Sequence, residues 1–156
     1  MKRRPLHIRV ARRLLRPIRA AFTKLGVYSD FRSLLMHNRL LARSEELGSM
    51  SLCAIRVREL NNHPVYCRPN TTDVNVFDDT FFGRYHLPPR ELGPIRTILD
   101  LGSNIGLTVM HYAVLFPEAR ILGIEMDHDN YEICQRNMLP KEQFGPPKVL
   151  LATPAQ

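Results

Sequence analysis

Thr97-Ile-Leu-Asp-Leu-Gly-Ser-Asn-Ile-Gly-Leu-Thr108 is the stretch around which this chain of 156 residues is organised. It opens on a short apolar run (Ile98, Leu99, Leu101) with the length of a buried strand. Asp100 stands near the end of that run, where a buried carboxylate is costly unless something needs it. Gly102 and Gly106 bracket a tight turn, and Leu107 begins a helical apolar pattern. A strand, a glycine loop and a helix in this order let a ligand approach the backbone at a helix N-terminus. The stretch predicts a nucleoside-cofactor site.

Downstream the same alternation repeats. Leu107–Phe116 reads as a helix ended by Pro117, and Ile121–Ile124 as a second buried strand finishing at Glu125. Asp129 is placed to cap a helix through about Asn137, with Glu132 set for a capping-box return bond. Lys148–Ala152 reads as a third strand. Strands alternating with helices of about ten residues predict right-handed crossovers and a parallel sheet, an α/β, Rossmann-like domain over 96–156.

Upstream, residues 51–95 read as a lead-in. Ile55 and Val57 alternate with Arg56 and Arg58, Asn61-Asn62-His63-Pro64 supplies a turn, and Val65-Tyr66-Cys67 returns, so a β-hairpin is expected. After the polar loop Arg68–Asp73, Thr72 or Asp73 can cap a short helix presenting Val74, Phe77 and Phe81 on one face, closed by Gly83. Residues 1–50 form a basic, helical N-terminal extension. Its second half predicts a helix from about Phe31 to Leu47, stopped by Gly48. Its first half, residues 1–29, holds nine Lys/Arg and no acid, with Leu6, Val10, Leu14, Ile18 and Phe22 at helical spacing and Pro17 as a break. Three readings stand for it: peripheral contact of residues 1–25 with anionic lipid, at about 1 kcal/mol per well-placed basic residue; a solvated extension; or a transit peptide, for which Ser is scarce.

The net charge of +7 is local. Residues 1–50 carry +9 and residues 51–156 carry −2, which argues against a nucleic-acid-binding core, whose basic face belongs on the folded domain. Cys53, Cys67 and Cys134 are odd in number and form no Cys-x-x-Cys pair, which argues against a disulfide framework or a metal site and for reduced thiols in a cytoplasm. No run is long enough for a membrane-spanning helix or the apolar region of a secretory signal.

Two acids stand at two strand ends. Glu125, nineteen residues past Gly106, is placed to accept both ribose hydroxyls of an adenosine. A dinucleotide meets that condition too. Dinucleotide loops, however, use Gly-x-Gly-x-x-Gly to let a pyrophosphate approach, whereas Asn104 stands here where the middle glycine would be. Asp100 would also repel a pyrophosphate: two unit charges about 4 Å apart at an effective dielectric of about 20 cost about 4 kcal/mol. The same carboxylate suits S-adenosylmethionine, which carries an ammonium and a sulfonium. An NAD(P)-type nucleotide-binding module remains the alternative, and an inactive membrane-surface or partner-binding fragment a third.

Asp100-Leu-Gly-Ser-Asn-Ile-Gly106, then Phe116-Pro-Glu-Ala-Arg120 and Ile124-Glu-Met-Asp127, resembles the FkbM family of S-adenosylmethionine-dependent methyltransferases. Tyr66-Cys-Arg-Pro-Asn-Thr-Thr-Asp73, followed by Tyr85, is similar to the lead-in that this family carries, so the resemblance covers about Arg56–Asn137. It implies a Rossmann-like methyltransferase fold and methylation of a hydroxyl on a sugar, lipid or secondary metabolite. It implies cofactor contacts at Asp100, Gly102, Asn104, Gly106 and Glu125, with Arg68, Asp73 and Tyr85 as a lid over cofactor or substrate. Ser103 within the loop is a further candidate, and Met126, most simply a packing residue, follows Glu125 where it can touch an adenine. The bland reading of Arg68, Asp73 and Tyr85 is a salt-bridged loop with a packed tyrosine.

Methyl transfer needs alignment and a base where the hydroxyl is poorly acidic. His86, His111 and His128 are candidates by residue type alone. From Asp100 to Gln156 there is room for three strands and two helices, so the expected fold ends after the third strand, with Thr97–Leu101 as an apolar edge. On that reading the chain is a truncated product or a second chain completes the sheet, and alone it is expected to bind the cofactor weakly and turn over little.

Overall fold

The computed structural model describes residues 25–43, 47, 52–88, 93–138 and 149–152. The readings of the basic stretch fall on residues 1–25, almost wholly outside that set.

Helix α1 (Phe31–Leu41) is capped by Asp30, whose carboxylate accepts the Ser33 N–H at 2.8 Å. It stops at Leu41 rather than Leu47, because Arg43 turns left-handed at φ 49° directly after the last turn. Strands β1 (Cys53–Val57) and β2 (His63–Cys67) form the expected antiparallel hairpin, Cys53 opposite Cys67 and Val57 opposite His63. A short 3-10 turn and two left-handed residues, Asn61 and Asn62, join them; asparagine tolerates that conformation because its side chain bonds locally. Ile55, Val57, Val65 and Cys67 are fully buried, and α1 packs on β1. Buried His37 of α1 ties the layer together, with Nδ1 2.9 Å from the Tyr28 hydroxyl and Nε2 2.7 Å from Asp78.

Helix α2 (Asp73–Asp78) continues through a wide π turn, Asp79–Gly83, that keeps Phe81 against Phe77 with ring centroids 4.8 Å apart. Neither Thr72 nor Asp73 caps it by side chain. Thr71 Oγ1 accepts the Asp73 N–H at 3.2 Å, because the Asp73 carboxylate is turned back onto Arg68. The left-handed stop is Arg84 rather than Gly83.

The second half has the predicted alternation: β3 (Thr97–Leu101), α3 (Leu107–Leu115), β4 (Arg120–Ile124), α4 (His128–Asn137) and β5 (Val149–Ala152). The strands lie parallel in the order β3-β4-β5, with Leu99 beside Leu122 and Leu101 beside Ile124. The cap of α4 is Asp127, whose carboxylate accepts the Asn130 N–H at 2.8 Å; the expected Asp129–Glu132 box is two residues out of register. Burial splits the sheet. Leu99 and Leu101 on edge strand β3 are 57% and 70% exposed, while Ile121 on β4 is buried. One apolar cluster runs from the hairpin and α2 (Ile55, Phe77) to the loop and α3 (Ile105, Met110). Among the described residues no helix is long and apolar enough to cross a membrane.

Candidate functional site

The turn between β3 and α3 alternates hands. Gly102, Asn104 and Gly106 all take positive φ, at 77°, 50° and 85°. The alternation folds each amide of the turn back onto the protein. Gly102 and Ser103 N–H both donate to the Ile124 carbonyl (2.8 and 3.0 Å), and Gly106 N–H donates to that of Ser103 (2.8 Å). Ile105 N–H donates to the Asn104 side chain at 2.8 Å, and Asn104 N–H donates to Glu125 Oε2 at 2.7 Å. Ile105 is fully buried and anchors the turn in the core.

Glu125 is therefore part of the turn before any ligand arrives. Its Oε1 accepts the Asp127 N–H at 2.8 Å, so one nearly buried carboxylate links the glycine loop to the cap of α4. Each oxygen keeps a second lone pair. Asp100, half-buried, accepts from the Thr108 hydroxyl through Oδ2 at 2.6 Å, which leaves Oδ1 with no hydrogen-bond partner among the described residues. Ser103 Oγ donates to the Asp100 carbonyl at 3.1 Å. Met126 is 79% exposed beside Glu125.

The two glycines differ in what surrounds them. A Cβ on Gly102 would meet nothing within 4 Å, so that backbone faces open space. A Cβ on Gly106 would stand 2.6 Å from Cys134 Sγ, so α4 packs directly on the loop. Burial, with the fields of Asp100 and Glu125 added, pushes the Cys134 thiol up to about 12, and it serves as packing. All three cysteines are free and buried.

Arg68 and Asp73 meet each other and not the loop. The guanidinium forks onto the buried Asp73 carboxylate at 2.8 and 3.0 Å and reaches Asn130 at the start of α4. That is a brace between lead-in and sheet. Tyr85 is exposed, with Asp100 close enough to help burial raise its hydroxyl pKa.

The three histidines separate. His128 is at the surface, 3.8 Å from Glu132. His86 and His111 face each other, Nε2 of the first 2.9 Å from Nδ1 of the second.

Asn137, which carries no sequence motif, proves central. Fully buried at the end of α4, its side chain accepts the Tyr66 N–H (2.7 Å) and donates to the carbonyls of Tyr66 (3.2 Å) and Ile105 (2.8 Å). Thr108 and Ile105 were equally silent in the sequence.

No family model matches the chain, and no curated protein matches it. Among solved structures it is similar to a protein from Klebsiella pneumoniae described as an O-methyltransferase, at 15% identity over 86% of this chain and 48% of that one, TM-score 0.38. It is also similar to coclaurine N-methyltransferase bound to N-methylheliamine and SAH, at 14% identity over 93% and 43% of the two chains, TM-score 0.36. The chain thus spans about half the length of either.

Proposed function

We propose that this chain holds S-adenosylmethionine at the Asp100–Gly106 turn and supports methyl transfer to a hydroxyl of a sugar, lipid or secondary metabolite, in the manner of the FkbM family that it resembles. The observation that carries this reading is the consumption of every amide from Gly102 to Gly106 by the protein itself. A pyrophosphate needs such N–H groups turned outward. Here they are turned inward, and the carboxylates of Asp100 and Glu125 frame the turn, which suits a cation and disfavours the dinucleotide alternative.

The residues present fit the group. Open space over Gly102 admits a ligand against the backbone. Asp100 Oδ1 would accept from an ammonium, the remaining Glu125 lone pairs would accept ribose hydroxyls, and exposed Met126 would offer an apolar side chain to an adenine. When bound, the cofactor supplies an electrophilic methyl on a cationic sulfur. Thr108 fixes Asp100, and Asn104 fixes Glu125, before binding occurs.

Calorimetric titration of the full chain with S-adenosylhomocysteine and with NAD tests the reading. Saturable binding of the first, weakened about tenfold or more by Asp100→Asn, is expected. Preference for NAD, or an unchanged affinity in the variant, overturns it. Contact of residues 1–25 with anionic lipid, and a second chain at the β3 edge, are further proposals from the sequence; co-sedimentation with anionic vesicles and the solution mass of the chain check them in turn.

A further inference from the structure

Among the described residues, half-buried His86 and fully buried His111 form a polar pair that cofactor binding leaves unexplained. His111 is fully buried in the middle of α3, and its Nε2 lies 3.2 Å from Glu59 Oε2 on the hairpin turn, within ion-pair range although off the line of a good hydrogen bond. Glu59 in turn pairs with Arg84. The far end of the chain, His86 Nδ1, is out of contact with solvent and has no partner among the described residues. A buried polar atom left in this state costs stability and calls for a reason.

Hydrogen-bond polarity along this row runs one way. A lone pair on Nε2 would be repelled by the Glu59 carboxylate 3.2 Å away and a proton there attracted, which assigns the His111 proton to Nε2. His111 Nδ1 is then a lone pair and must receive a proton from His86 Nε2 at 2.9 Å. That leaves His86 Nδ1 as the bare lone pair. Burial lowers the pKa of both rings, His111 to about 4, so both are neutral at pH 7. The His86 backbone is held too, its carbonyl accepting from the Tyr112 hydroxyl at 2.6 Å. Thr108, which holds Asp100, lies one turn before His111 on α3, so the row stands beside the proposed cofactor turn, and the Asp100 carboxylate acts on His86, Tyr85 and Tyr112. An open cleft of about 510 Å³ along the start of β3 is lined by His86, Tyr112, Phe116 and Ile98, among others.

We propose that His86 is the proton acceptor for the methylated hydroxyl, with His111 and Glu59 as positioning residues that fix its tautomer. The inference rests on the function proposed above. As the oxygen–methyl bond forms and the sulfur–methyl bond breaks, the hydroxyl proton passes to His86 Nδ1, the acceptor entering by the cleft that His86 lines and displacing what now covers that nitrogen. Sulfur keeps the bonding electron pair, and the new imidazolium donates through Nε2 to His111. The balance needs no further reactant. Asp100 and Arg84 are the charges that act on it, the first favouring the imidazolium and the second opposing it, while Glu59 faces His111 and Arg84.

The test is nitrogen-15 NMR of the histidine rings in the full chain, titrated alone, with S-adenosylhomocysteine and with S-adenosylmethionine. His86 is expected as the Nε2–H tautomer at pH 7. The methyl donor, whose sulfonium is charged, should lower its titration midpoint by about 0.5 pH or more relative to the uncharged homocysteine complex. In Glu59→Ala, still folded by thermal unfolding, the one-way order is lost and the two His86 tautomers mix. An Nδ1–H tautomer in the native chain, or the same midpoint in both complexes, overturns the assignment while leaving cofactor binding intact. Failure of either ligand to bind overturns the functional reading beneath it, and the proposal with it.

Discussion

Gly106 and Cys134 are in contact through the one hydrogen that glycine carries in place of a side chain: a Cβ there would stand 2.6 Å from Sγ and 3.3 Å from the cysteine Cα. The loop and α4 are therefore one packed unit. Positive φ is a second demand at the same residue.

Gly106→Ala should cost about 3 kcal/mol, combining left-handed strain with overpacking. Gly102→Ala carries similar strain with no clash and should cost about 1 kcal/mol. Its methyl group would project into the space proposed for the cofactor. Urea unfolding and S-adenosylhomocysteine titration of both variants should show opposite rankings, Gly106 leading in stability and Gly102 in the ratio of lost affinity to lost stability.

Asn137→Ala removes three side-chain hydrogen bonds that join β2 to the cofactor turn. An expected loss of about 3 kcal/mol follows from the orphaned Tyr66 and Ile105 groups. Hydrogen exchange should quicken at the Tyr66 amide. Unchanged exchange there would place the hairpin's attachment elsewhere.

Low pH should destabilise the fold through His111. Its pKa is depressed in the folded state, to about 4 from 6.5. Between those values the unfolded imidazole takes up a proton that the folded one refuses, so stability is full above pH 6.5, falls toward pH 4 and then levels off. The contribution is at most about 3 kcal/mol. Urea unfolding at pH 7 and pH 4.5 measures it, and His111→Gln should flatten the difference.

Arg68→Lys separates brace from lid. A lysine cannot reproduce the fork onto Asp73 and the reach to Asn130 at once, so about 1 kcal/mol should be lost. Affinity for S-adenosylhomocysteine should hold in conditions where the variant stays folded. A tenfold fall in affinity would return Arg68 to the lid.

The parallel sheet, the hairpin and the two acids at strand ends were legible because each rests on local signals: period-two alternation, glycine spacing and short apolar runs. Caps and helix ends moved by a few residues, because Asp127 and Asp129, or Thr71 and Thr72, are nearly equivalent candidates until packing chooses the entry angle. What the sequence hid was contact across long separations. Asn137 meets Tyr66 and Ile105, Glu125 meets Asn104, and His86 meets His111. No periodicity reports on such pairs. The same holds for Arg68 and Asp73: their residue types serve a lid and a brace equally, and no periodicity reports the fork that joins them.

The sheet face that leaves Leu99 and Leu101 open to water has a bearing on life in a cell. Surfaces of this kind are what holding chaperones grip and degradation machinery surveys. Steady-state abundance of the polypeptide should then follow how quickly that face is covered rather than how quickly ribosomes deliver it.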